Sequence, residues 1–182
     1  MTNGIATAHD VVTFWREAGP KRWFEKDTAF DKEISRRFLA THEAAAAGTL
    51  RHWENGAEGA LALLILLDQF PRNMFRNSAR AFATDPLARA IAAGALVKGF
   101  DSVFPDLRSF FYLPFEHSED MADQERALAL YKAAGDADNL KWAEIHADII
   151  RRFGRFPHRN AVLDRATTPQ EQAFLDSGGF AG

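Results

Sequence analysis

The stretch "GALALLILLDQFPRNMFR", residues 59–76, is apolar on every side as far as Leu67 and then turns polar at once. A helix that is apolar all round belongs in the middle of a core. The unbroken apolar run, Ala60 to Leu67, is far short of the roughly 20 residues that a membrane-crossing helix needs. The Phe70-Pro71 step is expected to end this helix and turn the chain, because proline lacks an amide hydrogen and restricts the residue before it. Asp68 would then lie near the helix C-terminus, where the dipole disfavours an anion. A structural ion pair of Asp68 with Arg72 and Arg76 is the expected remedy, since a guanidinium can grip a carboxylate with two prongs.

Helical period continues on both sides of this segment. Val11, Phe14, Trp15 and Ala18 share one helix face, as do Phe30, Ile34, Phe38, His42 and Ala45 ahead of a stop at Gly48. Asp85-Pro86 has the form of an N-cap followed by proline in the first turn, with the helix ending at Gly99. A short aromatic helix is expected over Leu107–Leu113, stopped by Pro114. Two longer ones follow. One runs from about Glu119, after an N-cap at Ser118, to Ala134; the other carries Trp142, Ile145, Ile149 and Phe153 on its apolar face. "TPQE", 168–171, is a capping box, and the tail "SGGFAG" is expected to fray. Alternating β-branched runs are missing, so strands are not expected. The sequence therefore predicts an all-α protein of antiparallel helix pairs in one compact domain, 1–182, with an ordered core over about 8–176.

Composition narrows the function. The chain has 182 residues, 47% hydrophobic, with 16 phenylalanines and four tryptophans to fill a core. A net charge of −3 without a basic tract argues against nucleic-acid binding. Cysteine is absent, which removes disulfides, thiolate metal sites and cysteine nucleophiles, and fits a reducing cytoplasm. The N-terminal stretch does not read as a secretory signal. Nucleophile elbows, phosphate loops and zinc or calcium motifs are not found, and no metal or cofactor is expected.

Chemistry is expected instead at three polar breaks between helices. The first is the Asp68–Arg76 stretch, with Arg72 and Asn73 as candidate ligand contacts. The second is "LPFEHSED", 113–120, where Glu116 could keep His117 partly protonated. Glu119 and Asp120 there read as helix-start acids, with a hard-cation site shared with Glu116 as a weaker alternative. The third is "GRFPHRN", 154–160, with Arg155, His158, Arg159 and Asn160. It echoes the first break, "FPRN" against "FPHRN", as a helix-pair repeat would. His42 and His146 lie on or beside apolar faces and read as packed, satisfied histidines.

Five segments, "KRWF.KD..FD" from Lys21, "LLDQFPRNMFR" from Leu66, "RAFATDPLA" from Arg80, "FYLPFEHSEDMADQERAL" from Phe111 and "RFGRFPHRNAVL" from Arg152, together resemble the bacterial family called domain of unknown function 924, from about Phe14 to Leu175. The resemblance implies a tetratricopeptide-repeat-like helical array. It implies no activity, cofactor or catalytic residue. Two readings of function stand. In one, Arg72, Arg155 and Arg159 clamp a small anionic molecule, Asn73 and Asn160 orient it, and His117 or His158, tuned by Glu116, moves a proton. Phe111, Tyr112 and Phe115 would form the apolar wall of such a pocket. In the other, the polar clusters are braces in a scaffold that binds a protein partner or a second copy.

Overall fold

A computed structural model describes residues 4–180, which are helical and contain no strand. They form two compact units. The first comprises the chain up to Arg76 together with Arg80–Pro114; the second comprises Asn77–Ala79 and the chain from Phe115 onward.

The first unit contains α1 (Ala8–Phe24), α2 (Thr28–Ala46), α3 (Ala57–Leu64), α4 (Phe70–Met74) and α5 (Asp85–Val97). Thr7 and Asp27 cap α1 and α2, each accepting hydrogen bonds from first-turn amides. α1 is kinked at Gly19-Pro20. Its inner face brings Phe14 and Trp15 onto Phe30, Phe38 and Phe70; the Phe14 and Phe30 rings stack at 5.5 Å, and Trp15 meets Phe70 edge-on at 5.5 Å. α3 packs against α1 and α5, and everything from Ala60 to Phe70 is buried, as its all-round apolarity predicts. Close packing also sets Gly59: a Cβ there would lie 2.3 Å from the Trp53 carbonyl oxygen.

The helix does not stop at Phe70-Pro71. It widens into one π turn, Ile65–Gln69, where Phe70 N–H reaches back to the Ile65 carbonyl, and then continues as α4. Pro71 removes a donor from this ladder, and side chains from elsewhere in the unit replace it. His42 Nδ1 donates to the Leu66 carbonyl at 2.8 Å, and the Thr84 hydroxyl donates to the Leu67 carbonyl. Burial pushes His42 below the ordinary histidine range, which keeps the ring neutral. The proline is tolerated because the tertiary fold supplies its missing bonds. α5 also differs in detail from the expected N-cap: it begins at Asp85, whose carboxylate is turned to Arg72.

The chain passes into the second unit within the single turn α6 (Leu113–Glu116). Pro114 therefore sits inside a helical turn and does not terminate one. α7 (Met121–Ala134) and α8 (Ala137–Phe153) pack on each other across a left-handed Gly135. Asp120, not Ser118, caps α7, accepting from Ala122 N–H at 2.8 Å; Ser118 Oγ accepts from Asp120 N–H instead. α9 (Pro169–Asp176) opens with the expected capping box of Thr168 and Glu171.

The buried face of α8 is Ala143, His146, Ala147 and Ile150. The stripe expected from the larger side chains is turned about: Ile149 is buried, but Trp142 is 54% and Ile145 43% exposed. Small residues let α7 approach, so the alanine face is the one that packs. The expected echo between the two Phe-Pro steps is likewise only in sequence. Phe70-Pro71 lies within a continuing helix, whereas Phe156-Pro157 follows the end of α8 and opens the 3-10 turn Pro157–Arg159.

Candidate functional site

In the first unit the polar break is a network of braces. Asp85 holds Arg72 through two parallel bonds of 3.0 Å, and Asp68 lies 3.3 Å from the same guanidinium. Burial alone would lower the Arg72 pKa, but Asp68 and Asp85 more than offset it and hold it above its usual value. Arg76 does not join Asp68. It forks onto Asp31 of α2, and Asn73 Nδ2 donates to Asp31 at 2.8 Å. α2 packs directly on α4, which places Asp31 in reach, whereas Asp68 points to the α5 side. Arg72 and Asn73 thus spend these contacts on acidic side chains of their own unit.

In the second unit the second and third breaks are drawn together. Glu119 forks onto Arg165 at 2.7 and 3.1 Å and accepts from Phe156 N–H at 2.8 Å. Burial would raise its pKa; the Arg165 and Phe156 bonds outweigh that and lower it. Arg155 is gripped by Glu171, with bonds of 2.6 and 2.8 Å. That grip, with the Thr168 cap bonds, pulls the Glu171 carboxyl down to about 2. The expected anion clamp at Arg155 is therefore occupied by a carboxylate of the protein itself. The three acids of the second break also part company: Glu119 takes Arg165, Asp120 caps α7, and Glu116 turns to a histidine. Among the described residues, no group of three or more potential ligands could hold a metal ion.

That histidine is His146, not His117 or His158. Glu116 Oε1 lies 2.6 Å from His146 Nδ1, and the Trp142 carbonyl lies 2.9 Å from the same nitrogen. Two acceptors facing Nδ1 mean that this nitrogen carries a proton. Glu116 is 2% exposed and His146 6%. The second carboxylate oxygen, Oε2, is buried without a hydrogen-bond partner among the described residues, as are Asn160 Oδ1 and Gln124 Oε1. Gln124 lies beneath the break, donating to the Glu116 and Ser118 carbonyls at 2.6 Å.

The surroundings are aromatic and basic. The His117 ring lies 6.5 Å from His146. Phe156 is a hub, 5.5 Å from the His146 ring and 5.6 Å from His158, with the Arg159 guanidinium 4.4 Å over its face. Phe180, in the tail expected to fray, is seated on both histidines, 4.5 Å from His146 and 5.3 Å from His158; residues 181 and 182 lie outside the described residues. Glu116, His117, His158 and Arg159 of the expected site thus gather around His146. His146 is packed and its Nδ1 is satisfied, as the sequence predicts; its pairing with Glu116 is what the sequence does not show. Its signal was its place on the Ala143–Ala147–Ile150 face, where a lone polar group requires a buried partner.

A family model described as bacterial protein of unknown function (DUF924) matches residues 11–179. The chain belongs to this family. The solved structure of a protein of unknown function from Agrobacterium tumefaciens is 53% identical to it, with a TM-score of 0.91, covering 94% of this chain and 97% of that one. No curated protein matches. The fold and the family are therefore shared, and neither carries an activity with it. No helix among the described residues is long and apolar enough to cross a membrane.

Proposed function

We propose that the second unit binds a small anionic molecule at the His146 cluster and that His146 Nε2 exchanges a proton with it. The observation that carries this reading is the buried Glu116–His146 pair, 2.6 Å apart, with its tautomer set by two acceptors. Such a pair is a common way to hold an imidazole ready for acid–base work. Arg159, His117 and His158 supply positive charge for the anion. The unpartnered Glu116 Oε2 favours a ligand that also offers a hydroxyl or N–H donor. Asn160 serves to orient it. Arg155 stands outside this site because Glu171 holds it.

Thermal melting against a panel of phosphates, hydroxy acids and nucleotides tests the reading. At least one anion should raise the melting temperature of the native chain and leave that of His146→Gln unchanged. Equal stabilisation of both chains, or no response to any anion, would contradict it.

One observation favours the scaffold reading, in which the chain acts by binding another protein. Trp142 and Ile145 are exposed side by side on α8, and a large exposed aromatic beside an aliphatic suits a protein contact. Trp142→Glu should abolish such a contact while the melting temperature holds; sedimentation of native and variant chains with cell extract would reveal the difference.

A further inference from the structure

The exposed side of α8 continues into an open groove of about 550 Å³ lined by Ile145, Ile149, Arg152, Phe174, Gly179 and Phe180, among others. Phe180 has two faces of contact. It lines this groove, and its ring also meets His146 at 4.5 Å and His158 at 5.3 Å, edge-on to both. One phenyl ring thus stands between an open groove and the imidazoles of buried His146 and half-buried His158.

The chain that carries the ring is built to place it closely. Gly178 is left-handed, with φ of 79°, a conformation that side chains disfavour. A Cβ on Gly179 would lie 2.5 Å from the Phe174 ring, so only glycine lets the backbone pass there. Gly179 N–H donates to the Phe174 carbonyl at 3.0 Å. The ring is held by this short segment and by apolar contact with the Ile149–Ile150–Phe156 cluster.

We infer that the seat of the Phe180 ring is an aromatic subsite, and that the molecule bound at the histidine cluster is a planar aromatic acid whose ring takes the place of Phe180. The inference rests on the anion-binding reading above and adds the chemical class of the ligand. A ring between two imidazoles gains edge-to-face contacts beyond its area burial. A carboxylate or phosphate attached to such a ring would fall beside the cations of the same cluster, where Arg159 lies over Phe156. Entry is from the α8 groove, and the ligand must displace the protein's own ring, so native affinity is weakened by that competition.

Benzoate, acetate and inorganic phosphate are the probes, followed by titration calorimetry and by histidine resonances. Phe180→Ala should bind benzoate at least tenfold more tightly than the native chain does, and at least tenfold more tightly than it binds acetate. Phe180→Leu, which keeps an apolar plug, should stay near the native affinity. Should Phe180→Ala not fold, the native chain still decides: saturating benzoate should abolish the nuclear Overhauser contact between the Phe180 ring and His146. Benzoate binding that is unchanged by Phe180→Ala, or a persistent Phe180–His146 contact, overturns the subsite. If acetate or phosphate still shifts His146 in that case, the subsite alone fails; if no anion shifts it, the anion-binding reading fails as well.

Discussion

The two units each bury carboxylates at a break between helices, and they neutralise them differently. In the first, Asp68 and Asp85 meet Arg72, and Asp31 meets Arg76. In the second, Glu119 and Glu171 also meet arginines, Arg165 and Arg155, but Glu116 meets His146. A guanidinium stays charged at every accessible pH, so the cations of the first network do not give up a proton and the network acts as a lock. An imidazole, unlike a guanidinium, can also be neutral, and the proton exchange proposed for His146 rests on that difference. The lesson is that burial of charge marks a brace or a reactive site according to whether the cation can let go of its proton.

Substitutions that strand charge should separate the two cases most sharply. Arg72→Met removes the guanidinium that buried Asp68 and Asp85 share, and urea denaturation should show a loss of roughly 3–5 kcal/mol. A loss under 1 kcal/mol would remove the distinction. Thr84→Val deletes the hydroxyl that serves the Leu67 carbonyl and should cost roughly 1–3 kcal/mol by leaving that carbonyl unpaired. Glu116→Gln should cost only about 1 kcal/mol, because a neutral His146 keeps the Trp142 carbonyl as its acceptor. The same substitution should abolish stabilisation by anions in thermal melts. The last substitution is read in acid, at Glu171. Its folded carboxyl sits at about 2, below the usual 4.5. It therefore contributes stability that is present above pH 4.5 and is lost as the pH falls toward 2. Glu171→Gln should flatten that acid limb of the stability profile measured by urea denaturation.

Much of the helical layout is legible in the sequence because its signals are local. Thr168 with Glu171 marks the start of α9, and Gly135 and Gly154 mark the ends of α7 and α8. The all-apolar run of α3 gives its central position. What escapes local reading is supplied by distant residues. Pro71 looks like a stop until His42 and Thr84 are seen on the carbonyls it leaves bare. Arg76 looks closest to Asp68 but finds Asp31, 45 residues away. One boundary between the units falls inside the turn Leu113–Glu116, where no linker composition could announce it.

The candidate site was legible in its parts and not in its pairing. Glu116, His117, His158 and Arg159 stand out as polar residues in breaks, and they gather. The residue that Glu116 serves lies 30 positions on, within a helix whose largest side chains point the periodicity to the wrong face. Arg155 differs from expectation for a related reason: Glu171, which the sequence marks only as part of a capping box, serves the cap and holds Arg155 as well.

The contrast between lock and reactive pair is tested most directly by the two buried histidines, one in each unit. Selectively labelled His42 and His146 can be followed by nuclear magnetic resonance while phosphate or a hydroxy acid is added at constant pH. His146 Nε2 should move and saturate with ligand, while His42, kept neutral by burial, should stay where it is. Parallel, unsaturable drift of both resonances would contradict the account.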